Sequence, residues 1–344
     1  MKSSTAAKYA TAHRSPKGPG DSRPTAMDII RDENLIGKLA DKVILITGAS
    51  SGIGIETARA LHATGAHLFF GVRNVKQGDK VAAQILSDGG SGKIDVLEVH
   101  LDDLGSVRRC AAEFARRSKQ LNVFIANAGV MACPESKTKD GYEMQFATNH
   151  LGHFLFFQLL KPILLASSTP LFNSRVVVVS SNGHRTSPVM FDNINFENGG
   201  YHPRAAYGQS KTANIHFANE IERRFGSRGL HATSLHPGGI ATPIQRHLDS
   251  AALKKWESPE IQAYLKNPAQ GAATTVWAAV GKEREGKGGA YLDNLEEVSV
   301  EDVALAGKGV NHIGLHSGYA AHAFDQGAEL KLWDLSNELV GFLE

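Results

Sequence analysis

The chain has 344 residues, of which 42% are hydrophobic and 21% charged, with a formal net charge of +2. That balance supports a sizeable core and gives no electrostatic reason to expect nucleic acid as a partner. Cys110 and Cys133 are the only cysteines, too few for a disulfide framework, which fits a reducing compartment such as the cytoplasm. No run of about 18 apolar residues is present, so no transmembrane span is expected.

Residues 1–37 differ from the rest. Lys2, Lys8, Arg14 and Lys17 stand without an acid in the first twenty positions, among many Ser, Thr and Ala, and Pro16, Gly18, Pro19, Gly20 and Pro24 discourage regular structure. A disordered extension is expected; the alternative is an organelle transit peptide, whose acid-poor, Ser-rich composition is shared in part. From residue 38 onward a single domain follows. Val43-Ile44-Leu45-Ile46 is an apolar run of the kind that forms a buried parallel strand. It ends on Thr47-Gly48-Ala49-Ser50-Ser51-Gly52-Ile53-Gly54, a glycine turn leading into a helix over 53–64. Strand Leu68-Phe69-Phe70, helix 76–87, strand 94–100 and helix 104–118 continue the alternation. Strand Asn122–Ile125, a long helix over about 143–166, strand Arg175–Val179, helix 205–226, strand 231–236 and a short strand near Ala290-Tyr291-Leu292 complete it. This order predicts an α/β fold, a Rossmann-type doubly wound parallel sheet with helices on both faces.

Two motifs carry chemistry. Gly48, Gly52 and Gly54 permit a tight turn and a close approach of backbone to a pyrophosphate resting on the helix N-terminus. Tyr207-Gly208-Gln209-Ser210-Lys211 puts a phenol and an ammonium one helical turn apart on one face. Hydride transfer to a carbonyl builds charge on oxygen, so the site needs a proton donor and a polarising group. Tyr207 can donate; Lys211 beside it, together with an oxidised nicotinamide, is expected to lower the phenol pKa from about 10. Together the motifs point to a nicotinamide-dependent oxidoreductase. Arg73 stands at the distance of about 20 residues past the glycines where the ribose partner is expected. A guanidinium there suits a 2′-phosphate, which selects NADP(H) over NAD(H). His150 and His153 lack a third ligand and a carboxylate at suitable spacing, so no metal site is expected.

These stretches resemble the short-chain dehydrogenase/reductase superfamily, and within it the retinol-dehydrogenase-like and WW-domain-oxidoreductase-like branch. The resemblance rests on Thr47–Gly54, Gly71–Asn74, Asn127–Met131, Thr148–Phe154, Ser180-Ser181, Tyr207–Lys211, His236–Gly239 and the closing Leu332–Ser336, and covers residues 38–344. It implies a catalytic set of Asn149, Ser181, Tyr207 and Lys211, with Ser181 rather than Ser180 holding the carbonyl and Asn149 holding a water that serves proton exchange with Lys211. It implies cofactor contacts from Gly48, Ser50, Ser51, Gly52, Ile53 and Gly54 in the turn, and from Arg73. Asp102, at the end of the third strand, would lie near the adenine, with Asp103 the competing acid. Asn127-Ala128-Gly129, Pro237-Gly238 and Thr242 would border the nicotinamide side, with Tyr207 and Lys211 also reaching the cofactor. Ala126 departs from the family's usual Asn. A homodimer through the long helices 143–166 and 205–226 is a further implication.

The segments 182–206 and 243–268 follow strand C-termini, where open α/β sheets hold their substrates. Met190, Phe191, Ile194, Phe196 and Tyr201 in the first, and Leu248, Leu253, Trp256 and Tyr264 in the second, suggest walls for a small lipophilic substrate. The plainer alternative is that they pin the segments to the core. The expected activity interconverts a lipophilic ketone or aldehyde and its alcohol, in retinoid, steroid or secondary metabolism. The alternatives are a non-catalytic NADP(H)-binding scaffold or redox sensor, or a reductase of a C=C bond in a pigment or secondary metabolite.

Overall fold

The computed structural model describes residues 5–300 and 317–343. Its sheet has eight strands: β1 (Val43–Thr47), β2 (His67–Val72), β3 (Ile94–Glu98), β4 (Val123–Ala126), β5 (Ser174–Val179), β6 (Leu230–His236), β7 (Tyr291–Asp293) and β8 (Glu296–Glu297). Their order is β3-β2-β1-β4-β5-β6-β7-β8, parallel except for the β7–β8 hairpin. The order reverses between β1 and β4, which opens a crevice at their C-terminal ends.

Each face of the sheet has its own apolar layer. Helices Leu104–Arg117, Gly152–Ser167, Pro203–Phe225 and Gln326–Leu339 cover one face around Phe124, Phe154, Phe157, Phe217 and Trp333. Helices Ala26–Asp32, Ile53–His62, Val75–Ser87 and Ala273–Val280 cover the other, around Ile44, Leu68, Phe70 and Val177. Strands buried on both faces explain the unbroken apolar runs at 43–46 and 176–179.

Three expectations change. Residues 16–37 do not form the disordered extension expected within 1–37. A capping box between Thr25 and Asp28 starts helix Ala26–Asp32, and Ile29, Ile30 and Leu35 join the second apolar layer; the prolines and glycines before them shape a strap instead of a coil. The strand expected over 94–100 stops at Glu98, so Asp102 lies in the turn beyond it. The long helix expected over 143–166 runs from Met144 to Ser167 but is interrupted by a π-helical turn at Ala147–Leu151. Such a turn adds one residue to the ladder and re-aims the side chains in it, Asn149 among them.

The two long helices expected at a dimer interface pack extensively within the chain. Every residue of helix Pro203–Phe225 from Ala206 to Ile221 is buried. Trp333 of the closing helix lies against Phe154, Phe157, Phe217 and Phe225, with ring centroids 5.1–6.4 Å apart.

Candidate active site

β1 delivers the glycine turn to the crevice. Gly48 and Gly52 have φ of 70° and 56°, a region that favours glycine. A Cβ on Gly54 would lie 2.2 Å from the Gly48 carbonyl oxygen, and one on Gly48 2.9 Å from Cα of Ala128. Helix Ile53–His62 starts without a side-chain cap, leaving its first N–H groups, with the positive end of the helix dipole, toward the turn that Ser50 and Ser51 build. Thr242 stands over that turn, its Cγ2 3.4 Å from where a Gly52 Cβ would be. The Asn127 side chain donates to the Thr47 carbonyl at 2.8 Å, while its Oδ1 is buried without a partner among the described residues. A glycine cradle, an open helix start and an orphan acceptor fit a dinucleotide.

Thr47 and His153 tie the cradle to the catalytic side. His153 Nδ1 lies 3.0 Å from the Asn149 carbonyl, which can only accept, so the proton sits on Nδ1. Burial pushes this imidazole down to about 4, so the ring is neutral and Nε2 accepts from the Thr47 hydroxyl at 2.8 Å. That fixes the Thr47 oxygen to receive the Asn127 and Ala128 N–H groups at 2.9 and 3.0 Å. His153 is thus a strut, and His150 likewise bonds the Ser336 hydroxyl at 2.8 Å.

Asn149 is wholly engaged. Its Oδ1 accepts from the Val130 N–H at 2.8 Å, and its Nδ2 donates to the Val130 carbonyl at 3.0 Å and the Ser210 hydroxyl at 2.8 Å. The pair clamps the Asn127–Gly129 segment against helix Pro203–Phe225. At Gly129 an added Cβ would meet Asn149 Oδ1 at 3.0 Å and Lys211 Nζ at 3.6 Å, so a side chain there would crowd both.

Ser181, Tyr207 and Lys211 converge at the end of β5. The Ser181 hydroxyl and the Tyr207 ring lie side by side against Gly183, and Ser181 Oγ accepts from the Gly183 N–H at 3.0 Å. Ser180 points the other way and donates to the Lys211 carbonyl at 2.8 Å, so strand alternation separates the two serines as expected. Lys211 is buried, lies 5.7 Å from the Tyr207 ring centroid and donates to the Val179 carbonyl at 2.9 Å. The lowering of the Tyr207 pKa, expected from Lys211 together with an oxidised nicotinamide, is not produced by the protein's own groups alone. Burial pushes the phenol up to about 12, with the Ser181 hydroxyl opposing, and burial takes the Lys211 ammonium down to about 7. Desolvation outweighs their mutual attraction because both charged forms are excluded from water.

The Lys211 shift has a measurable consequence for stability. Between pH 7 and its ordinary 10.5 the unfolded chain holds a proton on this lysine that the folded chain does not. Folding stability therefore rises with pH through that window, by about 2–3 kcal/mol between pH 7 and 9. Lys211→Met should flatten that part of the rise in a thermal-denaturation series. Parallel curves for the variant and the parent would show that the shift is absent.

At the ribose end, Arg73 follows β2, is exposed and forms no ion pair among the described residues. Asp103 caps helix Leu104–Arg117 through the Ser106 N–H at 2.9 Å and pairs with Lys139 at 2.6 Å. Asp102, half-buried beside it, carries no such duty. An open groove of about 860 Å³ runs past Asp102, but none of Ser181, Tyr207 and Lys211 lines it.

The sequence reading missed three contributors. Gly183 lets the Tyr207 ring lie on the Ser181 loop, since a Cβ there would be 2.7 Å from Cε1; its place two residues after Ser181 is the available signal. His236 accepts from the Asn182 N–H at 3.2 Å, joining the ends of β5 and β6. Lys266, 4% exposed, donates to the Pro237 carbonyl at 3.3 Å and Asn294 Oδ1 at 2.8 Å, and its side chain fills the space beside Gly238, whose φ is 107°. A lone lysine in a long loop offers no sequence signal.

Of the two expected walls, the first is mostly core. Phe191 and Ile194 pack on the main apolar layer, Phe196 is buried, and the Tyr201 hydroxyl donates to the Cys133 carbonyl at 2.9 Å. In the second, Leu253 and Tyr264 stay 42% and 39% exposed.

The sequence profile described as short chain dehydrogenase matches residues 42–252. A Penicillium roqueforti protein named short-chain dehydrogenase/reductase prx1 is 52% identical over 98% of this chain and 96% of its own length. Human retinol dehydrogenase 14 is 35% identical over 90% of this chain and 89% of its own. Among solved structures, that of an uncharacterized protein from Mycobacterium paratuberculosis matches with a TM-score of 0.66 and 31% identity, over 90% of this chain and 97% of that one.

Proposed function

The chain belongs to the short-chain dehydrogenase family, and from that membership we propose that it is an NADP(H)-dependent oxidoreductase interconverting a lipophilic ketone or aldehyde and its alcohol. The observation that carries the reading is the convergence of Ser181, Tyr207 and Lys211 at the end of β5, with Ser181 and the Tyr207 ring side by side against Gly183, Lys211 under the phenol ring and the glycine cradle across the crevice. The nicotinamide supplies or takes up the hydride. Tyr207 gives its phenolic proton to the carbonyl oxygen as charge builds there, or takes it back in the reverse direction. Ser181, held by Gly183, donates to the same oxygen and keeps it within reach of Tyr207. Lys211 places its amino group beneath the phenol, positively charged below about pH 7, and with a ribose bound would donate to its hydroxyls. Asn149 and His153 hold the walls of the crevice at a fixed spacing. Gly48, Gly52, Gly54 and the start of helix Ile53–His62 would receive the pyrophosphate, and Asp102, free of the capping duty that holds Asp103, would lie near the adenine.

The lipophilic preference rests on the second wall, where Leu253, Trp256 and Tyr264 leave apolar surface outside the core. NADPH consumption against a panel of aldehydes and ketones should favour hydrophobic members, with kcat/KM rising by about tenfold for each 1.4 kcal/mol of additional apolar burial. A preference for small hydrophilic carbonyls would overturn it. The homodimer that the resemblance implies, through helices Gly152–Ser167 and Pro203–Phe225, should be seen by sedimentation at micromolar concentration; a monomer there would overturn it.

A further inference from the structure

The N-terminal strap reaches the site. Arg23 is 4% exposed, and its guanidinium is spent on the backbone of the second wall. It donates to the Tyr264 carbonyl at 2.8 Å, the Leu265 carbonyl at 2.5 Å and the Gly18 carbonyl at 3.1 Å. Asp21, itself buried, accepts from Nε at 2.9 Å. Gln270 closes the same junction. Its Oε1 accepts from the Gly20 N–H at 2.9 Å, and its Nε2 donates to Asp21 Oδ1 at 3.0 Å and the Arg23 carbonyl at 3.1 Å. Residues some 240 positions apart are thereby locked together, beside the packing of the buried Leu265 side chain.

The next residue is Lys266. Its N–H donates to the Gly239 carbonyl at 2.8 Å, and its ammonium to Pro237. A parallel bridge joins Lys266 to Ile240. One continuous set of polar contacts therefore runs from Arg23 through the end of the second wall to the Pro237–Ile240 loop, two residues short of Thr242. We propose that Arg23 is a positioning residue: it holds the 243–268 wall over the crevice, and so sets the affinity for the carbonyl substrate while leaving the proton-transfer step alone. The proposal rests on the reading of the site as a carbonyl-reducing one. The physical basis is that a wall attached to strand ends only by loops must be held at its far end, and a buried fork of donors to consecutive carbonyls does this with little residual freedom.

The test compares Arg23→Met, Arg23→Lys and Gln270→Ala in the full chain, measuring KM and kcat for the best carbonyl of the panel together with amide hydrogen exchange over residues 258–268. The expected result for Arg23→Met is a KM raised about tenfold with kcat within about twofold, faster exchange at 258–268 and unchanged protection of β1 and β5. Arg23→Lys, which keeps the charge but lacks the planar fork that spans these carbonyls at once, should recover part of the KM. Gln270→Ala should shift KM in the same direction, and it decides the matter if Arg23→Met does not fold. An unchanged KM in the variants that fold, or kcat falling with KM constant, overturns the proposal. If no carbonyl is turned over by the parent enzyme, the functional reading has failed instead. Hydrogen exchange then judges the strap alone, and unaltered exchange at 258–268 in the variants overturns it too.

Discussion

Tyr207→Phe should lower turnover by about 10³-fold while leaving NADPH binding and the fold intact, within the 10²–10⁴-fold range that a positioned acid–base group contributes. The substitution removes only the hydroxyl. The ring keeps its place between Gly183 and Lys211, and losing the hydroxyl costs no more than one hydrogen bond, about 1 kcal/mol of stability. Direction enters through the protonation state. With burial holding the phenol near 12, Tyr207 is protonated at neutral pH and ready to act as an acid, which favours carbonyl reduction. Alcohol oxidation requires the phenolate and should accelerate as pH rises toward that value, whereas reduction should hold steady across neutral pH. Initial rates in both directions from pH 6 to 10, with equilibrium titration of NADPH into parent and variant, check both parts. Turnover retained in the phenylalanine variant would remove Tyr207 from the mechanism.

Arg73→Ala should weaken NADPH binding by about 10- to 100-fold and leave NADH binding nearly unchanged, the loss expected for a charged hydrogen bond worth about 1.5–3 kcal/mol. Arg73 lies in the turn after β2, where Val72 points into the core and Asn74 caps the next helix through the Gln77 N–H at 3.0 Å. The turn is thus anchored on both sides while the guanidinium stays in solvent, available to a 2′-phosphate. Truncating an exposed side chain disturbs no packing, so altered affinity would report the phosphate contact itself. Fluorescence titration with the two cofactors makes the comparison. Equal effects on both, or none on NADPH, would argue that Arg73 is only a solvated loop residue.

Both experiments address residues that are legible without coordinates, and the reason is local. A strand ending in Gly48, a helix beginning at Ile53, and a phenol and an ammonium one turn apart are short-range patterns whose chemistry follows from backbone geometry and helical period. The alternation of apolar runs likewise declares a doubly wound sheet, because strands covered on both faces are built mostly from apolar residues. Helix Ala273–Val280 is hidden from such a reading for the converse reason: it is buried throughout, so it has no polar face from which to read a period.

The fold class, the glycine cradle and the identities of Ser181, Tyr207 and Lys211 are therefore written in the chain itself, each within a segment of a few residues. What depends on neighbours distant along the chain was settled by folding. Folding engaged Asp103 in a helix cap beside a less committed Asp102, and turned His153 into a neutral strut between Thr47 and Asn149. It raised Tyr207 and lowered Lys211 through a shared exclusion of water. It packed the closing helix through Trp333 onto Phe154, Phe157, Phe217 and Phe225, and drew Arg23 from an apparently unstructured N-terminus to the wall at Tyr264 and Leu265. Burial and long-range hydrogen bonding have no period and no motif, so they become visible only once the chain has folded.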